Sequence, residues 1–264
     1  TMDVLCATAI KAGNFVRGCV GKVSFPYVLF DEASQSTEPE CLTSVTNGCK
    51  HLVLVGDHKQ LPPTVLCPDA VKNGLNRSLF ARMIELGQTP LKTLQIQYRM
   101  HPMLSYYPNV QFYEGQLLDG VSTEERALPP GLQGVFANAS VPLVFLESAG
   151  QEESTGDESP SFFNRVEAAQ VVEVLQKMLS VSGLSPEQIG VITPYDGQRR
   201  HIRACMALVA YPLGMNDLLS RVEVHSVDGY QGREKDFVVI SFVRSDSFGF
   251  VTDPRRLNVA LTRA

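Results

Sequence analysis

Residues 27–35 read Tyr27-Val-Leu-Phe-Asp-Glu-Ala-Ser-Gln35. Four large apolar residues run without alternation and stop at two carboxylates, Asp31 and Glu32. So short an unbroken apolar run predicts a strand buried on both faces, as parallel sheets require. Ligands of open α/β sheets sit outside the carboxyl ends of the strands, so both acids stand where a site is built. A hard cation such as Mg²⁺ takes carboxylate oxygen together with substrate phosphate. One acid can hold the metal while its neighbour manages a water, the arrangement of nucleotide hydrolysis. The plainer alternative is a helix cap in the loop after a strand.

Working outward, His51-Leu-Val-Leu-Val-Gly-Asp57 predicts a second buried strand that also ends in an acid. Gln60-Leu-Pro-Pro63 follows, and its prolines force a stiff extended turn. That places Gln60 at the same sheet edge as Asp31. Upstream, residues 3–10 predict a short strand ending near Thr8, and residues 13–24 a polar connection. Glu38-Pro-Glu40 suits the first turn of a helix, where proline and acids are favoured. Residues 76–86 predict another helix.

Near residue 92 the pattern changes, which marks a domain boundary. Leu94 to Pro102 alternates apolar and polar residues and then breaks at proline. Residues 119–140 and 149–161 read as surface connections, with a strand at Val141 to Leu146 between them. Asn164 and Glu167 form a capping pattern ahead of a helix that buries Val171, Val174, Leu175, Met178 and Leu179. Ser185 to Gln188 caps a short turn. Strands are predicted at Ile189–Tyr195, Val222–Val227 and Phe237–Val243, and helices at Gly197–Leu208 and Arg255–Ala264. Strands alternating with helices predict an α/β protein of two units with mainly parallel sheets.

The 264 residues are 44% hydrophobic, ordinary for a packed globular chain. No apolar run approaches the roughly 18 residues of a membrane helix, and no signal layout opens the chain. Six cysteines, Cys6, Cys19, Cys41, Cys49, Cys67 and Cys205, include no C-x-x-C pair. That argues against a zinc site or a disulfide framework and fits a reducing compartment. With a net charge of −5, any phosphate-backbone contact must come from local basic groups. His101 and His225 read as hydrogen-bonded structural groups. Arg199, Arg200 and Arg203 read as a solvated helix face or as phosphate contacts, and Tyr195 as a base-stacking ring or a packed one.

Six strings occur in order: Asp31-Glu-Ala-Ser-Gln35, Val55-Gly-Asp-His-Lys-Gln-Leu-Pro-Pro63, Gln97-Tyr-Arg-Met-His-Pro102, Ile192-Thr-Pro-Tyr-Asp-Gly-Gln198, Ser226-Val-Asp-Gly-Tyr-Gln-Gly-Arg-Glu-Lys-Asp236 and Arg256-Leu-Asn-Val-Ala-Leu-Thr-Arg263. Together they resemble the motifs of superfamily 1 helicases, and among these the regulator-of-nonsense-transcripts family. His58 to Pro63 and Phe242-Val-Arg-Ser245 look more like the related senataxin and immunoglobulin-mu-binding helicases.

The resemblance implies two RecA-like domains. Residues 1–92 would be the later part of the first, truncated at its N-terminus. Residues 93–264 would be most of the second, truncated at its C-terminal end. It implies ATP and Mg²⁺ as cofactors, single-stranded RNA or DNA as partner, no membrane, and a cytoplasmic setting with the nucleus as alternative. Asp31 is similar to the Mg²⁺-holding acid, Glu32 to the acid that activates water, and Gln60 to the γ-phosphate sensor. Tyr98 would stack on adenine, Gly232 and Glu234 would take the ribose, and Arg99 and Arg263 would be arginine fingers. Thr8, Thr193, Tyr195 and Ser226 resemble contacts to a nucleic-acid strand. On this view Asp31 and Glu32 face Arg99 and Arg263 across a shared gap.

The Gly-x-x-x-x-Gly-Lys-Ser/Thr phosphate loop does not occur in these residues. The resemblance places it before residue 1, so the chain alone is expected to bind ATP poorly and hydrolyse little. Two other classes stay open at this point. One is a non-catalytic nucleic-acid-binding or scaffold module lacking the loop. The other is a metal-dependent nuclease using Asp31, Glu32 and Asp57.

Overall fold

The two apolar runs pair side by side. Tyr27–Phe30 (β1) and His51–Leu54 (β2) are parallel, in register from Tyr27 opposite His51 to Phe30 opposite Leu54. The computed structural model describes residues 4–18, 25–45, 48–132, 135, 138, 140–156, 161–181, 183–210 and 214–264. They divide into two compact units, Thr1–Thr93 and Leu94–Ala264.

The first unit also contains helices Ala9–Gly18 (α1), Glu38–Val45 (α2), Pro68–Lys72 (α3) and Leu79–Leu86 (α4). The strand expected over residues 3–10 does not form among the described residues 4–10. Residues 4–8 carry no regular structure, and the Thr8 carbonyl accepts from the Ala12 N–H (2.8 Å) to open α1. Helix-favouring Ala9, Lys11 and Ala12 outweigh the short apolar pattern. The part of the expected connection over residues 13–18 is therefore helical, and residues 19–24 lie outside the described set. α2 and α4 are joined by a two-pronged ion pair in which Arg82 donates to Glu38 (2.8 and 2.6 Å). That guanidinium holds the Glu38 carboxyl below the usual carboxylate range.

The expected double-sided burial of β1 and β2 is also corrected. Tyr27 and Leu29 are 72% and 70% exposed, and Val53 is 51% exposed. These residues share one face of the pair, where Tyr27 stacks flat on His51 at 4.8 Å. α2 packs against β1, but the Tyr27–Leu29 face is open among the described residues. A strand's composition suits it to burial; what covers the sheet decides whether burial occurs.

The second unit holds the larger core. Ile189–Thr193 (β7) lies between Glu223–Ser226 (β8) and Phe237–Ile240 (β9), parallel to both, and all five β7 residues are buried. Helices Arg165–Leu179 (α6), Asp196–Ala210 (α7) and Asn216–Arg221 (α8) supply Val171, Leu175, Met178, Ile202, Met206 and Leu219 to the same cluster. Val174 packs at its margin. Smaller pieces complete the unit. Ile96–Gln97 (β3) is parallel to Leu118–Asp119 (β4), and Glu153–Ser154 (β5) is antiparallel to Phe162–Phe163 (β6). Two helices, Pro102–Phe112 (α5) and Pro254–Leu261 (α9), follow proline starts. The last helix thus ends at Leu261, short of the expected terminus.

Val141 to Leu146 forms no strand. Pro142 lacks an N–H to donate, and Leu143 and Phe145 are exposed. The other caps are as expected from sequence. The Asn164 side chain accepts from the Glu167 N–H (3.1 Å), Ser185 and Gln188 cap reciprocally, and Asp253 caps α9.

Glu167 does not complete a box at Asn164. Its carboxylate accepts from Ser241 Oγ (2.9 Å) and from the Val243 N–H (2.7 Å). Gln198 accepts from the Asn164 N–H (2.8 Å) and donates to Ser241 Oγ (2.9 Å). This buried network ties the starts of α6 and α7 to the end of β9. It holds Val243 at φ 75, a conformation that β-branched residues avoid. Gln198→Ala would leave the Asn164 N–H and Ser241 short of partners. We expect a loss of about 2–3 kcal/mol in unfolding free energy by urea titration.

Candidate functional site

At the carboxyl end of β1 the chain turns through Asp31 and Glu32. Asp31 Oδ1 accepts the Glu32 N–H (3.0 Å), and Gln35 donates to Glu32 Oε2 (2.7 Å). Glu32 is left-handed, at φ 52 and ψ 38. A non-glycine residue held there stores strain of order 1–3 kcal/mol.

The turn after β2 lies directly against this one. The Ala33 N–H donates to the Val55 carbonyl (2.8 Å), and the Asp57 N–H donates to Ser34 Oγ (3.3 Å). A Cβ at Gly56 would stand 2.9 Å from the Ser34 nitrogen, so the approach requires glycine. Asp57 then accepts from the Lys59 N–H (2.9 Å) and from Gln60 Nε2 (3.1 Å). Asp31, Glu32, Asp57 and Gln60 therefore belong to one edge of the β1–β2 pair. Among the described residues, no group of three or more His, Cys, Asp or Glu side chains gathers to hold a metal ion. The three-acid nuclease arrangement is accordingly not formed. The described cysteines, Cys6, Cys41, Cys49, Cys67 and Cys205, are free thiols.

In the second unit, residues far apart in sequence meet. Arg99 donates through Nε to Glu234 Oε2 (2.5 Å) and through Nη1 to the Thr262 carbonyl (2.9 Å). The Lys235 N–H donates to the Arg263 carbonyl (3.0 Å). Arg263 is 2% exposed, and its Nη2 donates to Thr262 Oγ1 (3.2 Å). Gly232 adopts φ 75 in the turn just before Glu234, with open space where a Cβ would point. Tyr98 is 62% exposed, and its ring passes so close to Gly120 that a Cβ there would collide with it.

The nucleic-acid candidates divide. Thr193 and Ser226 are in register at the carboxyl ends of β7 and β8. Ser226 Oγ accepts from the Gly229 N–H (3.1 Å), whereas Thr193 is fully enclosed. Tyr195, half-buried, meets Phe162 edge-on at 5.5 Å. Thr8 is exposed in the first unit. Arg199 and Arg200 pair with Asp196, while Arg203 donates to the Val224 carbonyl (3.0 Å). His101 is structural: its Nδ1 accepts from the Met103 N–H (3.0 Å) and caps α5. His225 packs on Tyr230, and burial pushes its imidazole below its ordinary pKa.

Sequence reading gave no role to several residues that shape these edges. Gln97 accepts from the Arg99 and Met100 N–H groups (3.0 and 2.8 Å) and donates to Asp119 (2.6 Å). Arg126 donates to the carbonyls of Tyr98 and Arg99. Arg244 lies over the Phe162 ring at 4.1 Å, a cation–π distance, and donates to Glu152 (2.7 Å). Gln97 and Arg244 had a signal, their places in Gln-Tyr-Arg-Met-His-Pro and Phe-Val-Arg-Ser; Gly120 and Arg126 are visible through contacts alone.

Parallel strands with polar side chains collected at their carboxyl ends define an α/β protein of the ligand-handling kind. Residues 75–264 match an AAA-domain family, and residues 1–68 match a second AAA-domain family. The first match covers most of the chain, which belongs to that family. It is similar to the Regulator of nonsense transcripts 1 homolog of Drosophila melanogaster, 48% identical over 99% of this chain and 22% of the relative. ATP-dependent helicase NAM7 of Saccharomyces cerevisiae is 44% identical over 99% of this chain and 26% of the relative. ATP-dependent helicase upf1 of Schizosaccharomyces pombe is 46% identical over 99% of this chain and 28% of the relative. These relatives bear out the resemblance to superfamily 1 helicases of the regulator-of-nonsense-transcripts kind. The chain spans about a quarter of their length. No helix among the described residues is long and apolar enough to cross a membrane.

The Arg244 guanidinium holds the Glu152 carboxyl below the usual carboxylate range, helped by the Ser245 and Asp246 N–H groups. A carboxyl depressed in the folded state stabilises above its unfolded pKa, and that contribution is lost as pH falls through the folded value. The stability difference between wild type and Glu152→Gln should therefore be largest near neutrality. It should shrink as pH falls below about 4, read from thermal unfolding midpoints across pH.

Proposed function

We propose that this chain is part of an ATP-dependent helicase that couples ATP hydrolysis to movement along single-stranded RNA, or RNA and DNA, in nonsense-mediated mRNA decay. Residues 1–92 would be the later part of a first RecA-like domain and residues 93–264 most of a second. The observation that carries the reading is the meeting of Arg99, Glu234 and the Thr262–Arg263 segment. These groups are separated by 135 and 163 residues in sequence, yet they come from three motifs of one resemblance.

In this reading Asp31 offers a hard carboxylate oxygen to Mg²⁺, and Glu32 orients and deprotonates the attacking water. Gln60, set beside Asp57, senses the γ-phosphate. When bound, the metal neutralises charge on the phosphate oxygens. Tyr98 presents an exposed ring to adenine, and Gly232 and Glu234 serve the ribose. Arg99 now spends its fork on Glu234 and a carbonyl. Phosphate oxygens suit the same planar fork, so ATP would draw Arg99 from Glu234 and leave that carboxylate to a sugar hydroxyl. Arg263 is enclosed, and acts as the second finger only once the Thr262–Arg263 segment is displaced. Tyr195, Ser226 and Thr8 would meet the nucleic-acid strand. Thr193 lies beneath them, and its part in that contact would be to shape the edge.

The test uses the full-length protein that carries this sequence. Glu32→Gln should keep ATP binding while kcat falls by about a thousandfold, and Arg99→Ala should lower kcat by a similar factor. Single-stranded RNA should stimulate the wild type. Unchanged turnover in both variants, or nucleic-acid binding with no nucleotide hydrolysis, would overturn the motor reading and favour a scaffold.

A further inference from the structure

The segment Tyr98–Met100 has no ladder or helix partner for its backbone. Five of its six backbone polar groups are answered by two side chains. Gln97 Oε1 takes the N–H groups of Arg99 and Met100, and Gln97 Nε2 donates to the Met100 carbonyl (2.9 Å). From the other side, Arg126 spans two successive carbonyls, with Nη2 to Tyr98 (2.8 Å) and Nε to Arg99 (3.0 Å). Charged donors on carbonyls make stronger bonds than neutral ones. Among the described residues no carboxylate pairs with Arg126, so its fork is committed to this backbone.

The turn that presents Arg126 is itself fixed. The Ser122 N–H donates to Glu125 Oε2 (2.7 Å), and the Glu125 N–H donates to Ser122 Oγ (3.2 Å). Ser122-Thr-Glu-Glu125 is thus a reciprocal capping box that delivers the next residue, Arg126, to the Tyr98–Arg99 backbone.

We propose that Arg126 is a positioning residue for nucleotide. It fixes the backbone of Tyr98 and Arg99, so that the ring is aimed at the base and the guanidinium at phosphate. The inference rests on the reading of Tyr98 and Arg99 given above. It requires the planar fork of arginine: a lysine keeps the charge but cannot span two carbonyls in the same way.

The experiment compares Arg126→Lys and Arg126→Ala with Tyr98→Ala and Arg99→Ala in the full-length protein, measuring steady-state ATP hydrolysis, fluorescent ATP-analogue binding and thermal unfolding. Arg126→Lys should lower kcat/KM by about ten- to a hundredfold, with KM raised and kcat reduced. Its unfolding midpoint and single-stranded RNA affinity should stay at wild-type values. Adding Arg126→Lys to Arg99→Ala should bring little further loss of kcat, and adding it to Tyr98→Ala little further rise in KM. Wild-type kinetics in Arg126→Lys, or the same fold-loss in those backgrounds as alone, would overturn the positioning role. So would a lowered unfolding midpoint accompanied by unchanged KM. If Tyr98→Ala and Arg99→Ala are themselves silent, the nucleotide reading falls and takes this inference with it. If they lose activity while Arg126→Lys does not, only this inference falls.

Discussion

A backbone that leaves its strand keeps its N–H and C=O groups but loses the ladder that satisfied them, and burying or ordering it without replacements is costly. Several edges among the described residues answer that constraint with side chains. Ser34 takes the Asp57 N–H, Glu167 takes the Val243 N–H, and Gln97 and Arg126 grip the two sides of Tyr98–Met100. The backbone around Tyr98 and Arg99 is therefore held by side chains, Gln97 and Arg126, to which no chemical step is assigned. This lets irregular chain carry a defined geometry, which regular structure alone could not provide at a strand end.

The same device supports strained residues. Glu32 and Val243 both sit at positive φ, one exposed and one buried. Val243 is gripped on its N–H by Glu167 and on its carbonyl by Asn164 (3.4 Å). The polar network beneath it is satisfied along its length, so it adds rigidity where a partly satisfied one would cost stability. The chain then passes directly to Arg244, whose guanidinium is stacked on Phe162.

Much of this was legible in the sequence where the signal is local. Asn164, Ser185 and Asp253 announced their caps because a cap is a relation between residues a few positions apart. The strands at 27–30, 51–54 and 189–193 were announced by their apolar runs. What failed depended on something distant. The open face at Tyr27 and Leu29 is set by what lies above the sheet, which no strand records about itself. The apolar residues from Val141 to Leu146 looked like a strand, but a ladder needs a partner and a full set of donors, and Pro142 removes one. Residues 9–18 went to helix because local propensity outweighed a brief apolar pattern. The pairing of Arg99 with Glu234 and Thr262 could be suspected only through shared motifs, since no spacing rule reaches across such separations. Arg126 was hidden in a stretch whose polar composition signals a loop and nothing more.

Gly56 has the widest reach for its size. By lacking a single carbon it lets the turn bearing Asp57 and Gln60 lie flat on the turn bearing Asp31 and Glu32. The two strand ends therefore cannot be adjusted separately. A side chain at position 56 would pry them apart like a wedge in a hinge, and would shift four polar groups at once without touching any of them.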